Sequence, residues 1–342
     1  MLLLVEGFEN YGTGTGAAPQ PTGVMGRYYN VSGEDKFDIE TGRLGGYSLE
    51  FGNAGCAFAA TNVTTDSTLT VGFAVKFPSL LSSPTFLKLY DGATLGISLR
   101  LSLAGEIVLK RAAVILGTSA AVILASTWYY MELQVTCDNA AGTYELRLGG
   151  VNILSAAGVD TQAGANAYHD KVQFDTDVNN FPTWDDIYVC DSTGTLNNDF
   201  LGNSRVVGIL PNGATAISNF GTSSPSANHF ENVDENPCDD DTSYVEDSTS
   251  GRMDLYDYES MTGGLGGIHG LQIKTECRET DASNFDVITH ISSGGVGDES
   301  APEAIGTTNY VTRTMVSETD PNTAIAWTET GVNAARFGIE VG

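Results

Sequence analysis

Residues 68–77 read TLTVGFAVKF, and their alternation decides the fold. Leu69, Val71, Phe73, Val75 and Phe77 fall on one face, with small or polar residues on the other, the period-two signature of a half-buried strand. Working outward, the same alternation returns in GISLRLSL (residues 96–103), EIVLK (106–110), WYYMELQV (128–135), YELRLGGVNIL (144–154) and DDIYVCD (185–191). Asp91-Gly92, Ala104-Gly105 and the polar run 138–142 mark tight turns between them, so successive antiparallel strands are predicted. Residues 112–124, AAVILGTSAAVIL, are interrupted by Gly117, Thr118 and Ser119 and read as two strand pieces around a turn. No window of helical length carries helical periodicity.

Beyond Leu196 the apolar runs shorten and Gly, Asn, Asp and Ser fill longer gaps; RVVGIL, GRMDLYDYE, LQIKTECR, FDVITHI, YVTRTMV and ARFGIEV are the candidate strands. A length of 342 residues favours two cores over one. The expected organisation is an all-β chain, with a jelly-roll antiparallel sandwich over 1–195 and a smaller β-sandwich or barrel over 196–342.

The formal net charge of −27 opposes extended contact with phosphate backbone or anionic lipid, so neither nucleic acid nor membrane is an expected partner. The first part carries 10 basic and 20 acidic residues and the second 6 and 23, so the second is the more acidic per residue. MLLLVEGFENY has no basic n-region and reaches Glu6 at once; it reads as a buried first strand, not as a signal peptide or membrane span. Five widely spaced cysteines without a CxxC pair read mostly as buried thiols, although Cys137 and Cys190 end strand-like runs and could meet across a sheet.

The order Trp128-Tyr-Tyr-Met-Glu-Leu, polar turn, Tyr144-Glu-Leu-Arg-Leu-Gly-Gly, long loop, Asp185-Asp-Ile-Tyr-Val resembles the later strands of concanavalin A-like lectin/glucanase (laminin-G-like) sandwiches, with Gly149-Gly150-Val151-Asn152 at the short turn. ETGRLGGYSLEFGN is similar to an early strand of that fold, and the resemblance implies that VEGFENY pairs near DDIYV. The same sandwich followed by DDIYVCDSTGTLNNDFLGNSRV, VDENPCDDDTSYV and ETDPNTAIAWTETGVNAARFG looks like virion structural proteins of tailed bacteriophages, a resemblance that runs the whole chain and supplies no catalytic motif.

Glucanases of this sandwich class align paired acids on one strand, as E-x-D-x-E, and no such run exists here; ENVDE and DLYDYE have the wrong order or lie outside the sandwich. Asp239, Asp240 and Asp241 are the densest acid cluster and the weak candidate Ca²⁺ ligands; they lack the D-x-[DN]-x-[DN]-G spacing, and a solvated turn is the favoured reading. The four histidines show no HxH or HExxH spacing, and neither GxSxG nor GxxxxGK[ST] is present, so no cofactor is expected. Tyr28, Tyr29 and Tyr168 lie in loops and are the candidate glycan contacts, since tyrosine stacks on a sugar face and bonds its hydroxyls.

These readings lead to one expectation and one alternative. The expectation is a non-enzymatic structural component of a tailed-phage virion, assembled in the host cytoplasm, exposed on head, neck or tail, homo-oligomeric, with major capsid or tail proteins as partners. The alternative is a carbohydrate-binding adhesion module for host or surface glycans, with a polysaccharide-degrading enzyme behind it.

Overall fold

The computed structural model describes residues 1–12, 25–27, 29–32, 36–261, 266–281 and 284–342. The chain divides into two compact units, Met1–Val206 and Val207–Gly342. It is all-β, and the first unit is an antiparallel sandwich of two sheets.

The first unit's strands are β1 (Leu2–Glu6), β2 (Asn30–Ser32), β3 (Phe37–Thr41), β4 (Tyr47–Phe51), β5 (Ala57–Thr61), β6 (Thr68–Lys76), β7 (Thr85–Asp91) and β8 (Thr94–Leu101). They continue as β9 (Glu106–Arg111), β10 (Val114–Ala121), β11 (Trp128–Thr136), β12 (Gly142–Leu148), β13 (Val151–Val159), β14 (Lys171–Asp175) and β15 (Thr183–Asp191). One sheet runs β13-β12-β11-β6-β15-β4-β3 with β1 also on β15; the other runs β10-β9-β8-β7-β14-β5-β2. The opening stretch lies between β11 and β15, at the centre of the eight-stranded sheet. Leu69, Val71, Phe73, Val75 and Phe77 are all buried, as their alternation requires. Trp184 sits in the middle of the core, its ring 4.9 Å from Phe174 and 5.6 Å from Phe73. β1 pairs β15 through Val5↔Tyr188, the pairing implied by the lectin-like resemblance.

Residues 112–124 depart from the two-piece reading. Val114–Ala121 is one strand whose register on β9 breaks twice, so the interruption at Gly117 produces bulges rather than a turn. None of the five cysteines is in a disulfide; Cys137 and Cys190 are buried thiols.

The outer faces of the two sheets differ. On the eight-stranded sheet, Glu132 and Tyr188 flank Gly72 in register and are 1 % and 2 % exposed, because residues 197–206 lie over them. The sequence reading places this segment with the second part; its hydrogen bonds tie it to the first unit. RVVGIL is accordingly not a strand.

The second unit has a six-stranded antiparallel sheet in the order 211–218, 253–258, 336–341, 286–293, 296–299, with 303–304 also on 286–293, and a separate pair 271–277/311–317. Ile291, Met315, Trp327, Val332 and Phe337 form its core. Among the described residues, no helix is long and apolar enough to cross a membrane.

Candidate functional site

The outer face of the seven-stranded sheet is built by alternation. In β7 and β14, Leu87, Leu89, Val172 and Phe174 turn inward, which sends Lys88, Tyr90, Lys171, Gln173 and Asp175 outward. Register then lines these residues up across strands. One row runs Ala59, Gln173, Lys88, Ser98, Lys110 over β5, β14, β7, β8 and β9; beside it Thr61, Lys171 and Tyr90 form a second. Thr85, Arg100 and Val108 make a third. Four of the ten basic residues before position 196 therefore share one face: Lys88, Arg100, Lys110 and Lys171.

Most of that positive charge is uncompensated. Asp175 accepts from Lys88 Nζ and Gln173 Nε2 at 2.6 Å each, which spends its charge on one lysine. Lys171 Nζ lies 3.8 Å from the Tyr90 ring centroid, a cation–π contact that leaves its charge intact. Lys110 has no ion-pair partner among the described residues, and Arg100 donates Nε to the Ser83 carbonyl at 3.2 Å. At the far end of β9, Glu106 is held by Ser102 at 3.0 Å. Burial is the main cause that raises the Tyr90 phenol above its ordinary range; nearby Lys88 opposes it and Asp175 adds to it.

One end of this face is closed by residues 162–170. Asp91 accepts from Asn166 N and Nδ2 at 2.9 and 2.7 Å, and Asp170 accepts from Gly92 N at 2.8 Å. Between these staples His169, 1 % exposed, covers Gly96, where an added Cβ would fall 2.6 Å from His169 Cδ2. Burial pushes the His169 imidazole down to about 4 against Asp91 and Asp170, and its Nδ1 finds no hydrogen-bond partner among the described residues.

The tyrosines singled out in the sequence fall elsewhere. Tyr29 is a correction: it is 3 % exposed, its hydroxyl donates to Glu6 Oε2 at 2.7 Å, and its ring meets Phe58 in the core. Tyr28 lies outside the described residues. Tyr168 is half-buried in the loop that carries His169. Asp239, Asp240 and Asp241 point to separate tasks: Asp239 accepts from Ser243, Asp241 from Arg278 and Tyr310, and Asp240 holds a φ of 59°. No group of three metal-ligating side chains occurs among the described residues.

In the second unit, Asp254 is fully buried and accepts from His229 Nδ1 at 2.5 Å, Tyr256 Oη at 3.1 Å and the amides of Asn219 and Phe220. Among the described residues, no serine or cysteine is bonded to that imidazole.

The sequence matches no family model and no curated protein. Solved structures do resemble it in fold. An endo-β-1,4-glucuronan lyase from the fungus Trichoderma reesei is 11 % identical with a TM-score of 0.37, over 47 % of this chain and 89 % of that one. Alginate lyase Aly36B is 14 % identical with a TM-score of 0.39, over 54 % and 95 %. The binding domain of botulinum neurotoxin DC, in complex with rat synaptotagmin II, is 13 % identical with a TM-score of 0.34, over 48 % of this chain and 43 % of that one. The expectation of a virion structural component is corrected on this finding: these neighbours are polysaccharide lyases and a toxin binding domain, and nothing in them indicates a phage role.

Proposed function

We propose that the chain is a carbohydrate-binding module that holds an acidic polysaccharide along the outer face of its seven-stranded sheet. The observation that carries this reading is the row that places Gln173, Lys88 and Lys110 on one face beside Lys171 on Tyr90, a cationic, amide- and hydroxyl-bearing strip on a strongly acidic chain, with Ser98 buried between Lys88 and Lys110. Cations along a strip match carboxylate or sulfate groups repeated along a glycan, while Gln173 and the Tyr90 hydroxyl offer partners for its hydroxyls. The negative remainder of the chain repels a polyanion from every other approach, so this face also sets the orientation of docking. Binding without cleavage fits the groups present: Asp175 is committed to Lys88 and Gln173, Tyr90 holds its proton more firmly than usual, and His169 is sealed from solvent.

Titration calorimetry with uronate oligosaccharides tests it. Saturable binding is expected that weakens as salt rises, because exposed charges are screened. Replacing Lys110 and Lys171 together by glutamine is expected to cost about tenfold in affinity, at roughly 0.5–1 kcal/mol for each exposed charge contact. No binding to any acidic oligosaccharide, or binding that ignores both substitutions, would sink the reading; release of unsaturated uronate ends would turn the same face into a lyase site.

A further inference from the structure

One side of the first unit's sandwich is formed by the last strands of both sheets. β10 ends the seven-stranded sheet and β13 the eight-stranded one, and among the described residues no strand pairs with the outer edge of either. The two edges lie close together. Tyr144, opposite Ala156 in the β12–β13 ladder, donates its hydroxyl to the Leu116 carbonyl at 3.0 Å, and a Cβ added at Gly117 would stand 2.9 Å from Leu154 Cδ1. An Arg111–Asp160 ion pair ties them where β9 turns into β10.

This side differs from the rest of the chain in charge. Residues 112–127 and 149–159 hold no Asp, Glu, Lys, Arg or Pro, in a chain where 17 % of residues are charged. Val114 and Ile115 on β10 and Val151 on β13 are 50, 61 and 65 % exposed. Soluble proteins protect open edges with charges or proline, and neither is present on these two. Covering the apolar side chains is favourable, because water gives them nothing in exchange.

The shape of the edges decides the kind of partner. An added peptide strand needs an even row of free N–H and C=O groups. β10 loses register on β9 between Ile115 and Gly117 and between Thr118 and Ala121; β13 loses it on β12 between Asn152 and Leu154 and between Ala157 and Val159. Each irregularity twists the edge out of line, so an extended peptide finds no continuous ladder. A folded, charge-free surface fits instead, through side-chain packing.

We propose that this side is the interface of a twofold dimer, with β10 and β13 of one copy packed against the same strands of a second. Charge selects the second copy. A cationic partner is drawn to the acidic surface elsewhere and gains nothing from an uncharged side, whereas two copies at −27 each repel one another except where neither carries charge. Twofold pairing sets the charge-free patch against itself. The area is sufficient: strands of eight and nine residues span about 27 Å, and sheets about 10 Å apart with side chains on either flank give a width of about 20 Å. The pair then buries roughly 1,000 Å² in total, the size at which specific interfaces begin. Because the net charge still opposes approach, the dimer is expected to strengthen as salt rises.

Light scattering of the full chain at tens of micromolar, in low and in moderate salt, tests this. Twice the mass of one chain is expected, with the larger share of dimer in the higher salt. Ile115→Glu with Val151→Glu puts a carboxylate at two exposed positions of the patch and is expected to weaken the dimer by about tenfold or more. Ile115→Ser with Val151→Ser, which only removes apolar area, is expected to weaken it in the same sense by less. Thermal unfolding of both variants is expected to match the parent at concentrations where all are single chains. Leu81→Glu, at a residue 90 % exposed outside the patch, is expected to keep the parent's mass. A one-chain mass for the parent in every condition, or a dimer that neither double variant weakens, overturns the proposal.

Discussion

Gly72→Ala is expected to destabilise the first unit by about 3–5 kcal/mol. The residue sits at mid-strand in β6, between Glu132 on β11 and Tyr188 on β15. The Tyr188 ring lies flat against its backbone: an added Cβ would stand 2.6 Å from Tyr188 Cδ1 and nearer still to Cε1. Neither side can yield cheaply. The backbone belongs to the central ladder, while the ring is pinned by its hydroxyl, which donates to Glu132 Oε1 at 2.5 Å and accepts from Leu201 N at 3.0 Å. Displacing the ring breaks both bonds and strips Glu132, already short of one partner, of another inside a site closed to water. At roughly 2–4 °C per kcal/mol for a unit of this size, the melting midpoint is expected to fall by about 10 °C. Adding Tyr188→Ala should recover part of the loss, because the clash that makes the two changes non-additive is then gone. A Gly72→Ala protein that melts within a degree or two of the parent would show that the ring and β6 are not in contact.

This pair shows where the sequence is readable and where it stops. Period-two alternation marks β6, β8, β9, β11, β12 and β15 because each has one face in an apolar core, and burial of one face leaves its imprint residue by residue. Gly72 and Tyr188 are both visible as residues on the opposite face, yet their meeting depends on the pairing of β6 with β15, strands separated by most of the unit. The cationic strip was hidden in the same way. TFLKLYD, GISLRL and KVQFD each announce their outward residues, but Lys88 meets Gln173 and Tyr90 meets Lys171 only through the β7–β14 register. Short-range turn chemistry fixes hairpin neighbours such as β7 and β8; nothing local fixes the arrival of β14. Tyr29 misled for a related reason. A loop tyrosine reads as exposed until Glu6, from β1, supplies a buried acceptor for its hydroxyl. The segment over the eight-stranded sheet was the least legible element: residues 197–206 have no periodicity because amides and carbonyls of their backbone supply most of what holds them.

The first unit is also expected to show opposed pH responses from its buried groups, and replacing the histidine should steepen the loss of stability between pH 5 and 7. Burial pushes His169 down to about 4, below its ordinary value near 6.5. Between those values the unfolded chain binds a proton that the folded one refuses, so stability is lost as pH falls through this window, by about 2 kcal/mol at pH 5 relative to neutral pH. Asp185 acts in the other sense. Burial first, then the neighbouring Asp186 carboxylate, raises it to about 7, against the lowering effect of the amides of Arg43 and Asp186. Its folded form keeps a proton that the unfolded chain releases above about 4, so its stabilising effect is present in acid and is lost as pH rises toward 7. Glu9, raised to about 7 mainly by burial, adds to the sense of Asp185. In the parent the two carboxyls outweigh the imidazole, and stability is expected to fall from pH 5 to pH 7. His169→Leu removes only the histidine's part, since Nδ1 has no hydrogen-bond partner to lose among the described residues. The variant is therefore expected to be more stable at pH 5 than at pH 7, by about 2 kcal/mol or more, as read from denaturant midpoints at the two pH values. Asp185→Asn should flatten the profile, leaving Glu9 and His169 to oppose each other. Parallel profiles for the parent and His169→Leu would mean that the imidazole is hydrated and titrates alike in both states.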